Sequence, residues 1–410
     1  MNRITKMLGI LIAGIAAGLV GLFIVYLLPV EEMQTNMKAS LTEFMAEGEN
    51  PFLVEGLKGS SLDNYTDAIM LGSAVYKTDM PFWQSAVRVP RAADVEGMPM
   101  ESLDDYLTSK ESSQESEYAR YWHGYLLYLK PLLLFLNYIQ IRMVNGCIQL
   151  ILAIWILYKF ISQGMKRGAV AYVLAVLSMF PMVFPYSLQF SSVFYIGNIA
   201  LLIVLKKYKK WKNEEIYLYF FQIIGMCTSF FDFLTFPLFT FGMPMALCMV
   251  LFQNQKLKEK AFFFIKNGLA WGLGYILMWM GKWFAGSLIT GENLWTNALG
   301  TVATRVSSEA YGENTGRLWA ILRNGYIYFN RAGIVLAVLL FLWLGFSFWK
   351  HRKKIAWLKI IPLIVVACIP LLWYLVASNH SYVHYWYTFR VLAVSVFALT
   401  LIPQCIGEGD

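Results

Sequence analysis

Charge is scarce in this sequence: 15% of its 410 residues are Asp, Glu, Lys or Arg, against about a quarter in a typical soluble domain. Motifs that hold nucleotides or build nucleophiles are missing too. There is no GxxxxGK(S/T) phosphate loop, no GxSxG elbow and no GxGxxG after a strand, so ATP-driven and dinucleotide chemistry lack support. The five cysteines (Cys147, Cys227, Cys248, Cys368, Cys405) fall in apolar segments without metal-ligand spacing. They read as small core residues and exclude a disulfide framework. Only four histidines occur, and no HExxH pattern joins any of them, which argues against a zincin-type site.

What is present is apolar. Hydrophobic residues make up 58% of the chain, mean hydropathy is +0.52, and aromatic content is 16%. Trp and Tyr at that level suit rings lying at headgroup depth. The fold class expected is an all-α integral membrane protein of about ten transmembrane helices, with a large extracytoplasmic loop domain after helix 1.

Net charge is +8, but its distribution says more than its sum. Counting along the sequence, 17 of the 26 acidic residues lie between Glu31 and Glu117. Basic residues instead form short runs between apolar segments: Lys159, Lys166 and Arg167; Lys206, Lys207, Lys209, Lys210 and Lys212; Lys256, Lys258 and Lys260; Lys350, Arg352, Lys353 and Lys354. All of them fall on one side of a ten-span chain whose termini are both cytoplasmic, as the positive-inside rule requires. Basicity here therefore means topology and not nucleic-acid binding.

Residues 1–29 hold an uncleaved first helix, since no small-x-small site closes it. Residues 30–120 form an acidic external domain, too long for an ordinary connection. An interfacial or re-entrant segment is expected over 121–140, because an unbroken 40-residue helix would overshoot the bilayer. The bundle fills 141–403 with an outer loop at 285–327, and 404–410 is a cytoplasmic tail.

Five groups of residues could carry chemistry. Asp63 and Asp67 stand at i,i+4 in a helix expected to start near Asp63, so two carboxylates would share a face. The bland reading is that Asp63 only caps that helix. Asn64-Tyr65-Thr66 matches a glycosylation sequon. Where the loop returns to the membrane, Tyr121 and Trp122 read as interfacial anchors, while Arg120 and His123 would face headgroups or a bound phosphate. Asp232 is a lone acid in the aromatic run Phe230-Phe231-Asp232-Phe233, and an ionisable group there is a functional candidate. The densest polar–aromatic cluster runs from Asn379 to Arg390 and holds His380, His384 and Arg390. Arg is a permanent cation suited to phosphate. Arg305, Arg317 and Arg323 in the outer loop break the positive-inside bias and hint at an anionic ligand on that face.

This layout resembles the GT-C superfamily of membrane glycosyltransferases: a first helix, a large external loop bearing acidic residues, and a multi-helix bundle. The resemblance covers most of the chain as topology. It implies a sugar donor on a polyprenyl phosphate, with an external glycan, lipid or protein as acceptor. Asp63 or Asp67 would be the general base. Arg390, His384 and Arg120 would hold the phosphate, and Asp232 would position the acceptor or a divalent cation. Metal dependence (Mg²⁺ or Mn²⁺) is left open, since the superfamily varies. In the superfamily the acidic pair usually lies close to helix 1. Glu31-Glu32 stands there in this chain, abuts the membrane edge and reads as a boundary marker. The expected setting is a plasma-membrane protein of the cell envelope in contact with membrane lipids. Two competing classes are a transporter or flippase of a lipid-linked saccharide and a non-enzymatic cell-envelope assembly protein.

Overall fold

The computed structural model describes residues 2–93, 98–108, 114–211, 213–351 and 357–406. Lys212, Arg352, Lys353 and Lys354 of the basic runs, and the end of the tail, lie outside them.

The chain opens with α1 (Arg3–Val25), capped by the Asn2 side chain. Then come α2 (Val30–Glu47), α3 (Asn64–Val75), α4 (Phe82–Arg88) and α5 (Pro99–Thr108). A short antiparallel pair, β1 (Pro90–Ala92) with β2 (Glu115–Glu117), ties the two ends of this stretch together. α6 (Leu126–Leu133) contains Pro131 and ends within a turn. Asn137 then restarts the helix as α7 (Tyr138–Ser162), through a capping box with Gln140. The acidic segment does not pack alone. Met33, Met37, Phe44, Leu71 and Leu103 share one buried cluster with Leu22 of α1 and with Leu126 and Leu129 of α6.

The remaining helices are α8 (Lys166–Ser178), α9 (Leu188–Lys207), α10 (Glu214–Phe231), α11 (Phe239–Leu251), α12 (Leu257–Thr290), α13 (Leu294–Val306), α14 (Arg317–Tyr326), α15 (Arg331–His351) and α16 (Trp357–Val376). A two-residue hairpin, β3 (Glu309–Ala310) with β4 (Glu313–Asn314), sits between α13 and α14. The last segment is broken into α17 (Ser378–Val383), α18 (Tyr385–Thr388), a 3₁₀ turn over Phe389–Leu392, and α19 (Ala393–Ile406).

Among the described residues seven helical segments are long and apolar enough to cross a membrane: α1, α7, α9, α12, α15, α16 and Tyr385–Ile406. The chain is thus a multi-pass, all-helical membrane protein. Helices also stand at the other three positions where a span was expected, but α8 and α11 have only 13 residues each. About 20 residues are needed for 30 Å of hydrocarbon. α10 and α12 meet backbone to backbone. A Cβ on Gly225 would come within 2.1 Å of the Trp271 carbonyl oxygen, and one on Gly274 within 2.3 Å of that of Gln222. Glycine alone permits that approach.

The bundle has two unlike ends. At one, Arg3 pairs with Glu215, Lys266 with Glu214, Arg167 donates to the Pro403 carbonyl, and Gln163 donates to that of Leu205. The described residues of the basic runs collect there. At the other end, the first turn of α9 meets α3, and the C-terminal half of α12 reaches α4 through Lys282 and the Val87 carbonyl.

Candidate active-site cavity

At the end remote from the basic runs lies a cavity of about 500 Å³. It is lined by Asn50, Phe52, Lys58, Ser61, Asp63, Tyr65, Thr66, Tyr118, Tyr121, Gln189, Phe233, Arg305, His380, His384 and the aromatic run Tyr385-Trp386-Tyr387. Five separate stretches of the chain therefore converge on it: the segment between α1 and α6, α9, the turn between α10 and α11, α13, and the broken helix before α19.

Among the described residues Asp63 is its one acidic lining residue. It is the N-cap of α3: its backbone is non-helical (φ −121°, ψ 65°) and its Oδ1 accepts the Thr66 N–H at 3.0 Å. Burial pushes its carboxyl up to about 7, against the hydrogen bonds from Thr66, which favour the charged form. A carboxyl poised there can take a proton near neutral pH.

Two cations face the same space. Lys58 Nζ hangs over the rings of Tyr326 and Tyr385, at 5.4 and 6.0 Å. Arg305 donates from Nη1 to His384 Nε2 at 2.8 Å. Arginine only donates, so that imidazole nitrogen is unprotonated. Burial and the Arg305 charge hold His384 down at about 3. Among the described residues no carboxylate pairs with Lys58 or Arg305.

Asp67 lies elsewhere. It is fully buried and does not line the cavity. Its carboxylate accepts the Tyr138 hydroxyl at 2.5 Å and the Leu188 and Gln189 N–H groups at 2.8 and 3.1 Å. It thus caps the start of α9 across the chain, a favourable place for an anion. Glu31 pairs with Lys77 at the surface, remote in role from the cavity.

Arg390 also stands outside the lining. Its donors go to the carbonyls of Met179, Trp386 and Gly59, at 3.2, 3.4 and 2.9 Å, and its guanidinium stacks on Phe190 at 4.4 Å. It fixes the loop four residues before Asp63 and has no donor aimed into the cavity. Gly59 must be glycine for this: a Cβ would sit 2.3 Å from the Phe180 ring. His123 is likewise saturated. Its Nε2 donates to the Tyr118 carbonyl at 2.7 Å, which leaves Nδ1 to accept the Tyr125 hydroxyl at 3.0 Å. Arg120 lies behind the rings of Tyr118 and Tyr121 and donates to Asn297 at 3.3 Å. Asp232 folds its own turn, accepting the Thr235 N–H and hydroxyl, and so aims Phe233 into the cavity. Asn64, the sequon residue, is buried with its amide committed to Glu47 and the Gly48 carbonyl, so it offers no site for a glycan.

Of the residues expected from sequence, then, Asp63, His380 and His384 meet in one cavity, while Asp67, Arg390, His123, Arg120 and Asp232 lie outside its lining. Lys58 and Gln189 escaped notice. Lys58 is one basic residue in an acidic stretch, and Gln189 one polar residue at the start of an apolar span. Among the described residues no three His, Cys, Asp or Glu side chains gather to hold a metal, so the donor set does not fit a protein-held divalent cation.

A second hollow of about 460 Å³ adjoins the first and is almost wholly apolar. Trp271, Trp279, Trp283, Trp295 and Trp373 line it, with Leu299 and Val302 of α13. Tyr121 and Arg305 border both spaces, and consecutive residues Phe233 and Leu234 face one each.

No known protein family, curated protein or solved structure matches the chain.

Proposed function

We propose that the chain is a membrane glycosyltransferase that moves a sugar from a polyprenyl-phosphate donor to an acceptor outside the cytoplasm. One observation carries this reading: a polar cavity with a single poised carboxyl and two unpaired cations opens beside a tryptophan-lined apolar groove, and Arg305 borders both. A ligand with a long apolar tail, an anionic junction and a polar head fits that sequence of surfaces. The tail takes the groove, the phosphate meets Arg305, and the sugar projects toward Asp63.

In the proposed reaction Asp63 takes the proton of the acceptor hydroxyl. The acceptor oxygen bonds to the anomeric carbon as the bond from that carbon to the phosphate oxygen breaks. The electron pair leaves with the polyprenyl phosphate, whose growing charge Arg305 and Lys58 stabilise. Neutral His384 accepts the Arg305 N–H and holds the guanidinium in place without competing for the phosphate. Arg390, expected from sequence to bind phosphate, becomes a positioning residue for the loop carrying Lys58 and Asp63. No step is routed through a metal.

The basic runs at the opposite end support a ten-span arrangement with both termini cytoplasmic and the cavity at the outer face of the plasma membrane. The test is transfer by the purified chain in nanodiscs, with a panel of synthetic polyprenyl-phosphate monosaccharides. Turnover that disappears in Asp63→Asn supports the reading. Turnover with no donor, or unchanged turnover in Asp63→Asn, sinks it.

A further inference from the structure

The cavity wall opposite in character to its cationic rim is built from neutral groups that lack partners. Gln189 Oε1 makes no hydrogen bond, and the His380 ring has the Leu234 backbone as its one close polar neighbour without a well-aligned bond, although the residues are only 6% and 2% exposed. Both line the cavity. A buried polar atom left unsatisfied costs free energy, so several in one wall call for an explanation. The two belong to one surface: the Tyr387 ring lies 6.1 Å from that of His380 and 5.8 Å from that of Phe190, the residue after Gln189. Packing also fixes the His380 ring, which sits 5.0 Å from that of His384.

We infer that Gln189 and His380 form a recognition subsite for the hydroxyl groups of an uncharged sugar ring, distinct from the cationic rim of Arg305 and Lys58. A neutral imidazole offers one donor and one acceptor, and an amide oxygen accepts. Adjacent sugar hydroxyls, each able to give and to receive, match that set. Burial, with His384 and Arg305 nearby, holds His380 well below the ordinary histidine range, so it stays neutral. An anion finds a single donor in this wall, the imidazole N–H, and the amide oxygen opposes it. Tyr65, Tyr118, Tyr121, Phe233 and Trp386 supply ring faces for the apolar side of a sugar.

This inference deepens the transferase reading and rests on it for the nature of the ring, but its test is a binding measurement. The probes are uncharged methyl hexosides and pentosides, with methyl glucuronide as an anionic control, followed by saturation-transfer NMR on the full chain in nanodiscs. At least one uncharged glycoside should bind. His380→Phe and Gln189→Leu should each weaken it about tenfold, and His380→Gln should recover part of the loss. Should a variant fold poorly, a diazirine-bearing methyl glycoside on the wild-type chain decides: label on peptides containing Gln189 or His380 supports the subsite, and label only elsewhere overturns it. Binding only of the anionic control, or affinity unchanged in both variants, also overturns it. Glycoside binding without turnover of any donor leaves the subsite standing and sinks the transferase. Donor turnover that His380→Phe and Gln189→Leu leave untouched does the reverse.

Discussion

Asp63 and Asp67 stand four residues apart, yet the chain gives them opposite surroundings. Asp63 meets a hollow, with one side bonded to Thr66 and the other open to a ligand. Asp67 meets α7 and α9, and four donors close on it: the Tyr138 and Ser187 hydroxyls and the Leu188 and Gln189 N–H groups. The first turn of α3 thus divides two kinds of polar site: one with capacity left over and one with none. Spare capacity in a buried place marks a candidate for chemistry, while saturation marks a joint.

Asparagine at position 63 breaks that comparison most sharply. It caps a helix as well as aspartate does, so Asp63→Asn should keep its membrane level and melt no lower than wild type. It cannot take a proton, and transfer should fall by roughly 10²–10⁴-fold, read as turnover of the lipid-linked donor. A comparable loss of fold would place Asp63 with Asp67 as a structural residue.

The two arginines repeat the contrast at the cationic side. Arg305 has donors to spare and borders both hollows; Arg390 gives its donors to three backbone carbonyls. Arg305→Met should cost roughly 10²–10³-fold in turnover, as loss of a charge-stabilising donor does, with thermal stability unchanged. Equal loss in stability would show that Arg305 braces the fold.

The third effect is on stability. Asp67→Ala leaves the Tyr138 hydroxyl and the Leu188 and Gln189 N–H groups buried without their acceptor. Each orphaned group costs about 1–3 kcal/mol, so the chain should unfold well below the wild-type melting temperature. Thermal denaturation in detergent, followed by intrinsic tryptophan fluorescence, reads this directly. A normal melting curve with lost turnover would return Asp67 to the chemistry.

Hydropathy made the long spans and the two polar clusters legible, because burying apolar surface in lipid leaves a run of about 20 residues that nothing else explains. The i,i+4 reading of Asp63 and Asp67 failed at a definite point. The spacing rule holds between residues inside a helix, and an N-cap residue is outside it, so the two side chains diverge. Arg390 went astray similarly. The helix is interrupted at His384 and tightens into a 3₁₀ turn at Phe389, which turns the guanidinium toward Gly59. The pairing of Arg305 with His384 joins residues 79 apart, and no periodicity reports such a contact. Glu47, Asn64 and Arg142 form a half-buried network of the same kind, invisible to local pattern.

The finest comparison between the two aspartates lies in how pH acts through Asp63. Its folded carboxyl titrates at about 7, raised first by burial from the ordinary value of 3.8. A general base works ionised, so turnover should rise about tenfold per pH unit below 7 and level off above it. Stability runs the other way. A carboxyl raised on folding contributes fully below pH 3.8, and that contribution is lost as pH climbs through 7. Asp63→Asn carries no such charge and should therefore melt higher than wild type at pH 8 while remaining inactive. The nearby Arg390 charge pulls Asp63 down, though it is the smallest of the named influences. Arg390→Gln should consequently move the rising limb of the pH–rate profile slightly to higher pH, and an unmoved limb would mean that the two charges do not sense one another.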